Sequence, residues 1–159
     1  RKILLGGKNV EMFDETEALL FAASRVQHIK EKILPAVADG KIVVCDRYVH
    51  SSLAYQGYAR GLKDFVEEVN SYALKNCMPD VTLFLDLPPE RAFARKGGAD
   101  ADDRLEQSGA EFHKRVYEGY LRLAEKYPDS FVRINADDTV ENVFAEVIKV
   151  LGEKGVIKP

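Results

Sequence analysis

Three short apolar runs set between long helical stretches narrow the architectures open to this chain. The runs are Ile42-Val43-Val44-Cys45, Val81-Thr82-Leu83-Phe84-Leu85 and Phe131 to Asn135. The first two are nearly continuous apolar blocks, as in strands covered on both faces. Before them, Leu19, Ala22, Val26, Ile29, Ile33 and Val37 form a stripe with helical spacing. Further helices are expected from about Lys63 to Asn76, from about Gln107 to Tyr127 and from Thr139 to about Leu151. Strands alternating with helices predict an α/β domain whose parallel sheet carries helices on both faces.

Local signals refine the boundaries. Asp14-Glu15-Thr16-Glu17 has the form of a helix start, with a capping-box-like acid three residues after the Asp. Pro35 predicts a kink in the last turn of that helix and Gly40 its end. Val49 to Gly61 reads as a loop or short helix, and Pro88-Pro89-Glu90 opens another helix. A polar, glycine-bearing stretch, Gly97 to Asp103, interrupts before the long helix. No repeat or linker divides residues 1–159, so one domain is expected. Three strands are few for such a sheet. There is no initiator Met, and Arg1-Lys2-Ile3 reads as mid-helix. The natural polypeptide is therefore expected to extend further at its amino end.

The 159 residues and 46% hydrophobic content suit one domain with a sizeable core. The charge balance, 23 Lys and Arg against 26 Asp and Glu, argues against a nucleic-acid-coating protein. It leaves small phosphorylated ligands open, because a local Arg cluster can bind phosphate on an acidic protein. No apolar run approaches the roughly 18 to 20 residues that span a bilayer, and no signal-peptide pattern is present. Neither a nucleic-acid nor a membrane partner is expected. Cys45 and Cys77 read as two buried thiols in a reducing cytosol, which predicts a cytoplasmic protein. The Cys and His residues have no zinc-ligand spacing.

In open parallel sheets ligands bind beyond the carboxyl ends of the strands, which points to Asp46-Arg47-Tyr48 and Asp86. An Asp after a buried strand can hold Mg²⁺ through water, and the neighbouring guanidinium of Arg47 offers a planar fork to phosphate. Either Asp can equally be a cap or turn residue. Phe21 and Arg25 lie one helical turn apart, away from the main apolar stripe. That pair could stack on a base and donate to its carbonyl, or be a peripheral core ring and a solvated Arg. Ser51-Ser52-Leu53-Ala54-Tyr55-Gln56-Gly57 places polar and aromatic side chains just after the Asp-Arg pair. Arg91, Arg95 and Lys96 stand before the glycine-bearing stretch and Asp103-Arg104-Leu105-Glu106 after it. They suggest a lid over about 91–106 that closes on phosphate charge, with an exposed charged loop as the alternative. Glu67-Glu68 and Glu141 to Glu146 read as solvated helix faces, and Tyr117, Tyr120 and Tyr127 as packing residues. His28, His50 and His113 show neither triad logic nor ligand spacing.

The segment Asp46-Arg47-Tyr48-Val49-His50-Ser51-Ser52-Leu53-Ala54-Tyr55-Gln56-Gly57 resembles the Asp-Arg-Tyr-x-x-Ser-x-x-Ala-Tyr-Gln-Gly segment of bacterial thymidylate kinases. Phe21-Ala22-Ala23-Ser24-Arg25 is similar to their nucleobase-reading helix and Asp103-Arg104-Leu105-Glu106 to their lid. The likeness runs from about Asp14 to Leu151 in the family's order. It implies a P-loop nucleotide kinase fold and transfer of the γ-phosphoryl of ATP to dTMP, giving dTDP, with Mg²⁺. By matching position, Phe21 would stack on thymine and Arg25 would donate to its O4. Ser52 would face the base, Tyr55 would lie beside the sugar, and Gln56 would complete the dTMP set. Arg47 would bind the acceptor phosphate. Asp46 would support Mg²⁺ through water, or the attacking oxygen. Arg91, Arg95, Lys96 and Arg104 would belong to the lid over ATP, with Arg95 and Arg104 as catalytic candidates beside Arg91. Family members are typically homodimers, and Leu20, Ala23 and Leu34 offer an apolar helix face for such a contact.

One departure from the family pattern is large. No Gly-x-x-x-x-Gly-Lys-[Ser/Thr] phosphate loop occurs in Arg1 to Pro159. The strand–loop–helix unit that carries it, some 30 or more residues, is expected to be absent, leaving the chain as given inactive on ATP. The alternatives are a non-catalytic nucleotide-binding paralogue and a kinase of another pyrimidine monophosphate. Neither Asp46 nor Asp86 is followed by a second Asp two residues on, which disfavours an Asp-x-Asp hydrolase. The absence of Gly-x-Gly-x-x-Gly disfavours a dinucleotide-binding oxidoreductase.

Overall fold

The computed structural model describes Leu4, Asn9, residues 11–97 and residues 105–157. Asp103, Arg104 and Gly98, which the sequence assigns to the lid, lie outside the described residues. Helix α1, Asp14–His28, passes without a break into a π-helical stretch, Ile29–Ile33, and then into α2, Leu34–Ala38. Pro35 accounts for the change of ladder. It lacks an N–H and crowds the carbonyl four residues back, so the preceding turn widens. Gly40, at φ 73°, ends the helix, with Gly40 N–H and Lys41 N–H donating to Val37 and Ala36 carbonyls.

Two expectations about this helix are corrected. Phe13 is the N-cap and makes no side-chain cap bond, so Asp14 and Glu17 form no capping box. Glu17 is fully buried and turned into the core instead. The buried line also differs from the apolar stripe. Ala18, Ala22, Ile29 and Ile33 are buried, whereas Leu19 and Val37 are exposed. The helix is thus rolled so that the line between Ala22 and Ile29 passes through Arg25.

The expected first strand is not one. Ile42–Cys45 runs without a ladder partner among the described residues, and Val44 is 93% exposed. β-branched composition sets a preference for extended backbone, but a strand exists only when a neighbour accepts its hydrogen bonds. Cys45 is accordingly exposed, Cys77 half-buried, and both are free thiols, which corrects the reading of two buried ones.

Helix α3, Val49–Ser52, continues as a second π-helical segment, Leu53–Ala59. The helix expected over residues 63–76 is two, α4 (Lys63–Val69) and α5 (Ser71–Asn76), hinged at Asn70. Strand β1, Thr82–Asp86, leads through α6, Pro89–Lys96, to Gly97 at φ 82°. After a 3-10 turn at Glu106–Ser108 come α7 (Ala110–Lys126), β2 (Phe131–Asn135) and α8 (Val140–Glu153). Thr139 caps α8 by accepting from Asn142 N–H at 3.3 Å.

β1 and β2 pair in parallel, Thr82 opposite Phe131 and Asp86 opposite Asn135, so the α/β class and the parallel pairing hold for the described strands. Side chains alternate across the sheet. Thr82, Phe84 and Asp86 share one face, and Phe84 stacks on Tyr120 of α7 with ring centroids 4.9 Å apart. Helix α8 packs against β2. The main core joins Ala18, Leu53, Ala54, Val66, Phe112, Val116, Leu123 and Phe131. A second cluster, Ile29, Ile33, Val49 and Ala73, holds the long helix against α3 and α5. No helix among the described residues is long and apolar enough to cross a membrane.

Candidate active site

A cavity of about 630 Å³ opens between α1, the Asp46–Gly57 segment, the carboxyl end of β1, α6 and α7. Its wall includes Phe21, Arg25, Asp46, Arg47, Ser52, Tyr55, Gln56 and Lys96. Residues far apart in sequence therefore converge where the sheet rule places a ligand.

The polar wall is built around Arg25. Its guanidinium donates to Asn70 Oδ1, to Ser52 Oγ at 2.7 Å and to the Tyr48 carbonyl at 3.5 Å. Burial pulls its pKa down, and Tyr48 opposes this. A guanidinium remains protonated across any ordinary pH, so a fixed cation faces the cavity. Asn70 is oriented in turn, because its Nδ2 donates to the Val66 carbonyl at 2.8 Å. Asn70 lies in the middle of the stretch that the sequence predicts as helix, and a polar side chain there is the signal the sequence offers for it.

Arg47 stands at the mouth beside Asp46. It is the one non-glycine residue among those described with positive φ, 61°. Such a backbone costs of order 1 kcal/mol and persists only where the surroundings impose it. Its guanidinium lies 5.3 Å from the centre of the Tyr55 ring. Burial by itself would lower the pKa of Arg47, but Tyr55, Tyr120 and Asp46 outweigh it and raise it. Helix α3 starts two residues later, after Tyr48, and the π-helical segment then turns Tyr55 and Gln56 to the same cavity.

Two tyrosines read as packing residues also carry polar contacts here. Tyr120 shares a hydrogen bond of 2.8 Å with Ser51, and burial pushes its pKa up to about 12. Tyr117 donates to Asp86 Oδ1 at 2.8 Å, while Arg133 holds Asp86 Oδ2 through Nε at 2.8 Å. Asp86 is thus bound to β2 and α7 rather than open to the cavity.

The described lid residues divide. Lys96 lies on the cavity wall and forms an ion pair with Glu106. Arg91 and Arg95 are turned toward the end of β2: Arg91 pairs with Asp137 at 2.7 Å and Arg95 donates to the Ala136 carbonyl at 2.9 Å. Neither lines the cavity. No group of three or more His, Cys, Asp or Glu that could hold a metal occurs among the described residues.

A family model described as thymidylate kinase matches residues 1–147. A thymidylate kinase of Clostridium novyi (strain NT) is 48% identical over 150 residues, covering 92% of this chain and 73% of the relative. One of Bacillus thuringiensis (strain Al Hakam) is 47% identical over 157 residues, covering 97% of this chain and 76% of the relative. With identity at this level spread over nearly all its length, the chain belongs to the thymidylate kinase family.

Proposed function

We propose that the cavity binds dTMP, with the pyrimidine between Phe21 and Arg25 and the 5′-phosphate at Arg47. Membership of the family assigns the reaction, ATP-dependent phosphorylation of dTMP, and with it the P-loop nucleotide kinase fold. The observation that carries the placement is convergence. A ring, a buried guanidinium, a hydroxyl, an amide, and a mouth of Asp46 and Arg47 line one space. A non-catalytic paralogue is not favoured.

Phosphoryl transfer asks little covalent work of side chains; alignment and charge neutralisation dominate. Phe21 and Tyr55 would hold base and sugar, and Ser52 would face the base beside Arg25. Arg47 would draw the acceptor phosphate toward the donor against their mutual repulsion. Asp46 at the mouth fits an ion of the Mg²⁺ kind, which keeps several waters and takes one or two carboxylates together with substrate phosphates. Bound there through water, Mg²⁺ would supply neutralisation of phosphate charge. Lys96, with Arg91, Arg95 and Arg104, would form a lid over ATP. Arg91 and Arg95 stand at the end of β2, near enough to swing only after releasing Asp137 and the Ala136 carbonyl. A cytoplasmic homodimer completes the reading.

The test is coupled ADP release with dTMP, dUMP, UMP and CMP as acceptors, for the protein and its Arg47→Ala variant. dTMP should be preferred, and Arg47→Ala should lower kcat/KM for it by about 100-fold or more, as for loss of a preorganised charge donor. Near-normal turnover by a folded Arg47→Ala variant would refute the placement of the phosphate.

A further inference from the structure

Glu17 is a fully buried carboxylate that nothing in the proposed reaction uses. A buried acid is costly unless its oxygens are bonded. Glu17 Oε1 accepts from Gln56 Nε2 at 2.7 Å, and Glu17 Oε2 lies 3.8 Å from Arg60 Nη2. Arg60 also forms an ion pair with Asp14, its Nε 3.2 Å from Oδ1. Gln56 is itself only 2% exposed, yet it forms part of the cavity wall.

A carboxylate has no hydrogen to give, so the Gln56 amide can turn only its NH₂ end toward Glu17. The opposite orientation would set two electron-rich oxygens at hydrogen-bond distance without a proton between them. Glu17 therefore fixes which end of the amide is left over, and that end is a carbonyl. Among the described residues the Gln56 side-chain oxygen has no hydrogen-bond partner. The cavity thus offers a donor at Arg25 and an acceptor at Gln56. This pair matches a pyrimidine edge that accepts at position 4 and donates at N3. A 4-amino pyrimidine, which donates at position 4 and accepts at N3, would face donor with donor and acceptor with acceptor.

We propose that Glu17 is a positioning residue for base selection: by holding the Gln56 amide in one orientation, it makes the cavity take a base with N–H at position 3 and refuse one with a lone pair there. This rests on the placement of the pyrimidine beside Arg25. The test is calorimetric binding of dTMP and dCMP to the protein and to Glu17→Gln, Gln56→Leu and the double variant, with folding checked by circular dichroism. In Glu17→Gln the new amide can donate or accept, so Gln56 is free to turn. The dTMP-over-dCMP affinity ratio should fall about tenfold, the scale of one hydrogen bond mismatched in a buried site. In the Gln56→Leu background the same substitution should leave the ratio unchanged. An equal loss for both nucleotides, or an undiminished effect in that background, overturns the proposal. Should Glu17→Gln fail to fold, N3-methyl-dTMP on the unaltered protein decides: it should bind at least about tenfold more weakly than dTMP, and equal binding overturns the proposal. Arg25→Ala separates the two layers. Unchanged dTMP affinity there removes the base placement and this inference together, whereas a loss there with an unaltered Glu17→Gln ratio removes this inference alone.

Discussion

His50 lies inside the segment that supplies Asp46 and Arg47, yet its surroundings are those of a core residue. Its ring packs on Tyr127 at 5.2 Å and Phe131 at 5.1 Å, and Nδ1 shares a 3.1 Å hydrogen bond with Thr82 Oγ1. Burial drives its pKa from 6.5 down to about 4, so the folded protein keeps it neutral. The unfolded chain takes up a proton near pH 6.5 that the folded chain refuses until about pH 4. Stability should therefore be level above that window and fall as pH drops through it, by roughly 3 kcal/mol for this group. Urea unfolding of the protein and of His50→Phe checks this. The difference in their unfolding free energies should change steadily between the two pH limits, and parallel curves would refute it. Nothing comparable titrates at Arg25 or Arg47, whose charge is constant over the same range. The side chain that governs acid stability is thus distinct from the two guanidinium groups that line the cavity.

Both π-helical segments matter to the site, for different reasons. Ile29–Ile33 absorbs Pro35 and keeps the long helix continuous, while Leu53–Ala59 sets the angular offset of Tyr55 and Gln56 from Ser52. The second is clamped by α7 through Gly119. A Cβ built there would lie 3.0 Å from Tyr58 Cβ and 3.2 Å from the backbone Cα of Ala54. Gly119→Ala gains about 1 kcal/mol of helix propensity but must push backbone as well as side chain. The clash should win, with a net loss of about 1 to 3 kcal/mol. Chemical denaturation reads the loss, and weaker dTMP binding should accompany it because the displaced segment carries Tyr55 and Gln56. Unchanged or raised stability would show that the two helices can separate freely. The segment Ile42–Cys45 teaches the complementary lesson, since its residues favour a strand and its surroundings here provide no ladder.

Apolar surface along the long helix bears on assembly. Phe13, Leu19, Leu20 and Val37 are all more than a third exposed, and Ala23 is exposed as well. Leu34 differs: it is half-buried against the second core cluster and contributes less to any contact. If this face joins two copies, the protein should sediment at twice its chain mass and Leu20→Glu should sediment as a monomer. A monomer at micromolar concentration without the substitution would refute the contact. How far this was readable beforehand follows from the range of the interactions involved. Local patterns were enough for β1, β2, α6 and α8, whose turns and caps lie within a few residues of one another. The Asp46–Gly57 segment likewise carries the family pattern within a dozen residues, and the fold sets several of them on the cavity wall. The pairing of Asp14 and Glu17 and the orientation of Arg91 and Arg95 depend on partners more than thirty positions away, and the exposure of Cys45 follows from the missing ladder beside Ile42–Cys45. Sequence alone determined which chemical groups the chain brings, and so its family and the pieces of its cavity. Tertiary packing alone decided that Glu17 faces Gln56 rather than its own helix end, and that Arg25 lies on the buried line. A carboxylate or guanidinium settles wherever it is best paired when water is withdrawn, and that partner is known only once the chain has closed around it.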